Sequence, residues 1–250
     1  MPEEMSRRMS GLQRNVVAGF YVAVLKVLQA VRFYHARNER YAATIWTLAG
    51  SSLLKGRVVL DLGCGSGYIT ARLHGAHLLV GIDSDRFNLL HSIDPSISAI
   101  QACAERLPIR SGSVAIVVAI SLVEHIADQG AFFRELVRTL EPEGHAVLQI
   151  PELKFPIEPH TKWPLLHVWN ASLRSRVLAA TGYVDLNMST SLARTILFAE
   201  AAGFHTDRVV PIWHFRLARI LGLPMGYFIL FGKDRDWSKP RATRGLRNGS

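Results

Sequence analysis

Cysteine is scarce in this chain. Of 250 residues only Cys64 and Cys103 are cysteine, and neither belongs to a C-x-x-C pair. That excludes a disulfide scaffold and leads us to expect reduced, cytosolic thiols. Long apolar runs are missing as well. Val16 to Leu25 is nearly continuous, but Lys26 interrupts it and Gln29 and Arg32 follow. A spanning helix needs about 20 apolar residues, so this run is too short. No small-residue cleavage site follows, which argues against a signal peptide. The Walker pattern G-x-x-x-x-G-K-[ST] does not occur, nor does an aromatic-basic RNA-binding motif or an internal repeat. Acidic residues are in deficit, 20 against 29 Lys and Arg, for a net charge of +9. A basic surplus favours nucleic acid, anionic lipid or a phosphorylated substrate. Here it gathers at the ends, in Arg7, Arg8 and Arg14 and again in Lys239, Arg241, Arg244 and Arg247. Nucleic acid is therefore disfavoured as a partner.

Apolar residues make up 49% of the chain, enough for a substantial core, and the length suits one α/β domain. Residues 1–41 read as an N-terminal helical extension. From Val16 to Tyr41, Phe20, Val24, Val27, Leu28, Val31 and Tyr34 share one side, and Lys26, Gln29 and Arg32 lie opposite. Docking on the chain's own domain is favoured over a second reading, a helix lying in a membrane interface. The location expected is cytoplasmic, peripheral at the membrane under that second reading.

Residues 42–232 carry the rhythm of a domain. Val58-Val59-Leu60-Asp61-Leu62 is a short buried strand ending in glycines, and Tyr68 to His74 reads as a helix. Strands are expected at 77–82, 99–102, 114–120 and 145–150, with helices at 86–92 and 130–140. The run at 114–120, almost free of polar residues, should be central. A turn is expected at Glu141-Pro142-Glu143-Gly144. The alternation implies right-handed βαβ units in a parallel sheet with helices on both faces. After Pro151 the rhythm breaks. Residues 151–188 read as an insertion or lid containing Phe155, His160, Trp163, His167, Trp169 and Tyr183. A helix at 191–202 and strands at 204–211 and 225–232 complete seven strands. Residues 233–250 read as a basic, disordered tail.

The chemistry concentrates at Asp61-Leu62-Gly63-Cys64-Gly65-Ser66-Gly67-Tyr68, where a strand ends, glycines alternate and a helix is expected to begin. Glycine lets a ligand approach the backbone without a Cβ in the way. Asp83, about 20 residues on at a strand end, is placed to accept from ribose hydroxyls. A dinucleotide fingerprint is G-x-G-x-x-G, and Tyr68 stands where its third glycine would fall. Asp61 beside the loop would also repel a pyrophosphate. Both points argue against a dehydrogenase and for a ligand without phosphate.

Leu60 to Gly67 resembles motif I of the class I S-adenosylmethionine-dependent methyltransferases, in particular the type 11 methyltransferase domain family. The resemblance continues through Ala104-Glu105-Arg106-Leu107-Pro108-Ile109, Ser121-Leu122-Val123-Glu124-His125-Ile126 and Arg134-Glu135-Leu136-Val137-Arg138-Thr139-Leu140-Glu141-Pro142-Glu143-Gly144. Four motifs in order imply a Rossmann-like class I methyltransferase fold with a seven-stranded, mostly parallel sheet. They imply S-adenosylmethionine as cofactor. Gly63, Cys64, Gly65, Gly67 and Tyr68 would then line its methionine part, with Asp61 toward the amino group. Asp83 would hold the ribose, Ser84 and Asp85 the adenine edge, and Cys103 and Ala104 the adenine. Ser121 would lie near the methionine and the methyl. The family usually has aspartate where Cys103 and Ala115 stand. Weaker adenine recognition is expected from the first change, by roughly 0.5 to 1.5 kcal/mol for one hydrogen bond.

Methyl transfer from a sulfonium is an in-line displacement whose leaving group needs no proton. His125 is the candidate base, paired with Glu124; the alternative is that both only brace their loop. In family members that bind a cation here, an acid stands at the position of Ser121, so no metal is expected. His160, Trp163 and His167 are candidate acceptor contacts, or else members of a small satellite core. The function expected is methyl transfer to a small-molecule, lipid or glycan-precursor acceptor, lipid-linked if the N-terminal helix meets a membrane. The alternative is a non-catalytic scaffold that binds S-adenosylmethionine, motivated by Cys103 and Ala115.

Overall fold

The computed structural model describes residues 34–90, 94–157, 163–181, 186–187, 190–213 and 216–234. Most of the expected amphipathic segment, His160 and the basic tail lie outside these residues. The chain divides into two compact units, Met1–Thr44 and Ile45–Ser250. Residues 34–54 are helical (α1), so the helix does not stop at Tyr41 as expected. No proline or glycine intervenes before Gly50, which takes a φ of 69° near the helix end.

The second unit is built on seven strands: β1 (Val58–Leu62), β2 (Leu78–Asp83), β3 (Ile97–Gln101), β4 (Val114–Ile120), β5 (Leu140–Pro151), β6 (Phe204–Ile212) and β7 (Gly226–Lys233). Their order in the sheet is β3-β2-β1-β4-β5-β7-β6. The first five pair in parallel, and β7 runs antiparallel between β5 and β6. β4 is central, as its composition requires, and its first six residues are all buried. The helices are α2 (Arg86–Leu90), α3 (Gln129–Thr139), α4 (Ala171–Thr181), α5 (Leu192–Ala202) and α6 (Arg216–Ile220). Asp128 caps α3 by accepting from the Ala131 N–H at 2.8 Å, and Ser191 caps α5 from the Arg194 N–H. α3 and α5 join the main core through Phe132, Phe133, Leu136, Ala199 and Ala202. There Phe133, Phe204 and Phe231 meet with ring centroids 5.8 to 6.3 Å apart.

Three local expectations need correction. Tyr68 to His74 is not an α-helix but a single 3-10 turn, Thr70–Arg72. Gly67 and Gly75, both at positive φ, leave fewer than two α-helical turns between them. Nor does a turn precede β5. The chain is already extended at Leu140, and the pairing jumps from Val114↔Leu140 to Ile116↔His145. The surplus residues bulge out, with the Lys233 ammonium donating to the Leu140 carbonyl. The insertion also contains regular structure, namely α4 and a 3-10 turn at Leu166–Val168. Leu153, Leu166, Leu178 and Leu186 form its own small core, with Trp169 packed against it.

Candidate functional site

Parallel strands deliver their carboxyl ends to one edge, and ligands of open α/β sheets bind along such an edge. The order β3-β2-β1-β4 makes the four motif-bearing ends neighbours there. The loop after β1 is bent by Gly63, Gly65 and Gly67, with φ of 67°, 56° and 78°. It is anchored to β2, because the Gly63 and Cys64 N–H groups donate to the Ile82 carbonyl at 2.8 and 3.1 Å. A Cβ on Gly65 would meet nothing within 4 Å, so the loop presents bare backbone to open space. A Cβ on Gly63 would come within 3.1 Å of Leu122 Cδ1, which packs the β4 loop onto the glycine loop.

Two carboxylates flank this backbone. Asp61 is 3% exposed and accepts from the Thr70 hydroxyl. Burial, opposed by the Thr70 hydrogen bond and reinforced by the Asp83 charge, pushes its pKa up to about 7. No ion pair among the described residues involves it. Asp83, at the end of β2, accepts from the Gly65 N–H at Oδ2 (2.9 Å) and from the Asp85 N–H at Oδ1 (2.9 Å). The Asn88 amide adds a longer bond at 3.3 Å. Asp83 thereby ties the glycine loop to the turn after β2, and Ser84 joins that turn by accepting from the Gln101 amide.

The cysteines differ. Gly81 makes room for Cys64: a Cβ there would sit 2.9 Å from Cys64 Sγ. Burial, with Asp61 and Asp83 nearby, pushes the Cys64 thiol up to about 12. Its side chain is therefore packing, while its backbone belongs to the loop. Cys103 is exposed after β3, and Ala104 beside it is buried.

After β4, Ser121 takes a φ of 50°, rare for a residue with a side chain. Two bonds to Gln149 hold it there, Ser121 N–H to the carbonyl at 3.0 Å and Oγ to Oε1 at 2.7 Å. Glu124 and His125 follow in a 3-10 turn. Glu124 is fully buried, which suits bracing, whereas His125 is part-exposed. The turn is braced from the far end of the insertion. The Asn187 N–H donates to the Glu124 carbonyl at 2.7 Å, and the Gln129 amide bridges the Val123 carbonyl and Thr190 Oγ1.

Asp61, Gly63, Cys64, Gly65, Gly67, Tyr68, Asp83, Ser84, Cys103, Ala104, Ser121, Glu124 and His125 thus share one sheet edge. Of the candidate acceptor contacts in the insertion, Trp163 meets Trp169 edge-on at 5.5 Å, and His167 sits in the 3-10 turn beside Leu166. Sequence reasoning missed Thr70, Gln149 and the Glu135–Arg138 pair. Gln149 could have been found as the lone amide in a run of buried apolar residues. The Arg138 guanidinium donates to Glu135 and to the Leu107 and Ile109 carbonyls, and Glu135 accepts from the Leu107 N–H at 2.7 Å. These bonds pin the loop after β3.

Residues 60–148 match the family model described as methyltransferase domain. Those residues are a methyltransferase domain. A protein of Mycobacterium tuberculosis, named probable S-adenosylmethionine-dependent methyltransferase, is 31% identical over 145 residues, covering 53% of this chain and 50% of its own. An uncharacterized methyltransferase of Mycolicibacterium gilvum is 28% identical over 225 residues, 80% of this chain and 88% of its own. The chain spans about half the length of the first of these. Among solved structures, the S-adenosylmethionine-dependent methyltransferase from Mesorhizobium loti matches with a TM-score of 0.59 at 20% identity, over 74% of this chain and 98% of that one. Geranyl diphosphate C-methyltransferase from Streptomyces coelicolor, solved with S-adenosyl-L-homocysteine, matches at 0.56 and 14% identity, over 79% and 80%. The fold of the methyltransferase domain is that of the class I enzymes. Of the proteins just given, those of Mycobacterium tuberculosis and Mesorhizobium loti are named for S-adenosylmethionine, and that of Streptomyces coelicolor was solved with its demethylated product.

Its residues fit that cofactor. A buried carboxyl without a cationic partner among the described residues suits an ammonium, and the open backbone at Gly65 suits close approach. Asp83 keeps acceptor capacity for hydroxyls beyond the bonds it already makes.

Proposed function

We propose that this chain transfers a methyl group from S-adenosylmethionine to a small-molecule, lipid or glycan-precursor acceptor. The observation that carries the reading is Asp61, a carboxyl kept near neutrality by burial at the foot of a glycine loop, with an acceptor-rich Asp83 across that loop. Bound there, the cofactor would supply a methyl group activated by its sulfonium. Asp61 would meet the ammonium, Asp83 the ribose hydroxyls, and Ser84, Asp85, Cys103 and Ala104 the adenine. Ser121, fixed by Gln149, would border the methyl. His125 is the group able to take a proton from the acceptor, and Glu124 positions its turn rather than touching substrate.

The scaffold alternative loses half of its motivation. Ala115 is the second residue of β4, buried near the amino end of the strand and remote from the edge just described. Only Cys103 departs from the family pattern at that edge. Calorimetry with S-adenosylmethionine and with S-adenosylhomocysteine tests the proposal: micromolar binding of both is expected, and no heat from either at millimolar concentration would sink it. Transfer of label from methyl-labelled cofactor into a cell extract then separates enzyme from scaffold.

A further inference from the structure

Two excursions leave the sheet at the edge that carries the candidate site. Residues 152–190 depart from the carboxyl end of β5. Residues 213–225 leave β6 and return to β7, since Ile212 and Pro151 both pair with Gly226. Their tips carry large aliphatic side chains in solvent. In the second, α6 ends in Ile220 (79% exposed), Leu221 (60%) and Leu223 (41%). This tip is a defined turn, because the Leu223 N–H donates to the Ala218 carbonyl at 2.9 Å and Gly222 has a φ of 64°. In the first, Ile157, Trp163, Leu165 and Val168 (66%) are exposed around the Leu166 core. Leu165 takes a φ of 50°, a conformation unusual for leucine, which turns an apolar residue outward.

Apart from Glu158, which adjoins Ile157, the charges along these stretches are of one sign. No Asp or Glu occurs from 159 to 184 or from 208 to 233. Arg176, Arg216 and Arg219 are exposed there. Scattered surface leucines are ordinary, but two apolar tips on one edge, one of them carrying Arg216 and Arg219 and no acid, are not. Apolar side chains that enter the acyl boundary while basic residues meet headgroups are the chemistry of an anionic bilayer surface.

We propose that the tips at 163–168 and 216–223 dock the carboxyl edge of the sheet onto an anionic membrane. The acceptor would then be a lipid taken from the bilayer, a deduction that rests on the methyltransferase reading. Docking itself does not. The surface differs from the N-terminal amphipathic segment, whose contribution the experiment separates.

The full chain is sedimented with phosphatidylcholine vesicles, with and without phosphatidylglycerol. Binding is expected only with the anionic lipid and weakens with salt. The variant carrying Ile220→Ser, Leu221→Ser and Leu223→Ser should lose about tenfold or more in partitioning, and Arg216→Gln with Arg219→Gln a similar factor. Both variants should keep their far-ultraviolet dichroism and their S-adenosylmethionine affinity. Vesicle binding unchanged by these substitutions would overturn the proposal and assign binding to residues outside the tips. No vesicle binding by the parent chain would also overturn it, as would a parent dimer that the serine variant converts to monomer. Failure to bind S-adenosylmethionine with vesicle binding intact would remove the lipid acceptor and leave the docking.

Discussion

Asp61 is a carboxyl held against its own ionisation. Its pKa rises from 3.8 to about 7 because burial removes water, and the Thr70 hydroxyl restores only part of what is lost. A cation placed beside it would reverse the shift. Cofactor binding near pH 7 should therefore release a proton, and affinity should weaken about tenfold per pH unit below 7, until the lowered pKa of the complex is reached. Calorimetry in buffers of different ionisation enthalpy reads this directly. For the free protein the sign is opposite. Between pH 3.8 and 7 the folded state holds a proton that the unfolded state has lost, so this group's contribution to stability falls as pH rises through that window. Asp61→Asn should accordingly raise the melting temperature of the free protein at pH 8 while abolishing cofactor binding. A variant that loses both stability and binding would mean that the carboxylate serves the fold instead. The cysteines offer a second check. Iodoacetamide at pH 8 should modify exposed Cys103 and spare Cys64, whose thiol is pushed up to about 12.

At the scale of elements, the site depends on how loops are tied to strands. The loop after β4 holds a strained Ser121 because Gln149, on the neighbouring strand β5, offers it both a carbonyl and a side-chain oxygen. Gln149→Leu would remove only the latter and fill a buried position with a similar volume. Its fold stability should change by less than about 1.5 kcal/mol, whereas its cofactor affinity should fall several-fold. Equal losses in both would show that Gln149 is a core residue only. The loop after β3 is held differently, by Arg138 reaching from α3 to two carbonyls and to Glu135. Arg138→Met should destabilise the fold by about 1–3 kcal/mol in chemical denaturation, because several carbonyl partners are lost together. Much of this scale was legible. The apolar run of β4 and the glycine bend follow from local rules. The 3-10 turn at 70–72 was not, because periodicity cannot register how two glycines shorten a helix. The bulge before β5 was hidden too, since it depends on register against β4. Nor did composition reveal α4 within a segment that opens with four prolines.

At the scale of the whole chain, the sequence by itself determined the class of fold and pointed to the class of cofactor. Strand-helix alternation admits few sheet topologies, and the glycine bend with acids at fixed distances along the chain is a local chemical signature. What only the tertiary structure decided is which side chains share an edge and which are shut away from it. Ala115 and Asp61 both lie in buried strands, yet one ends up inside the sheet's amino half and the other beneath the loop. The tips at 163–168 and 216–223 come to one edge although some fifty residues separate them. The reason is physical. A strand's residues and bend are set by neighbours in sequence, whereas burial, shifted ionisation and shared edges arise from partners that meet only when the sheet has closed.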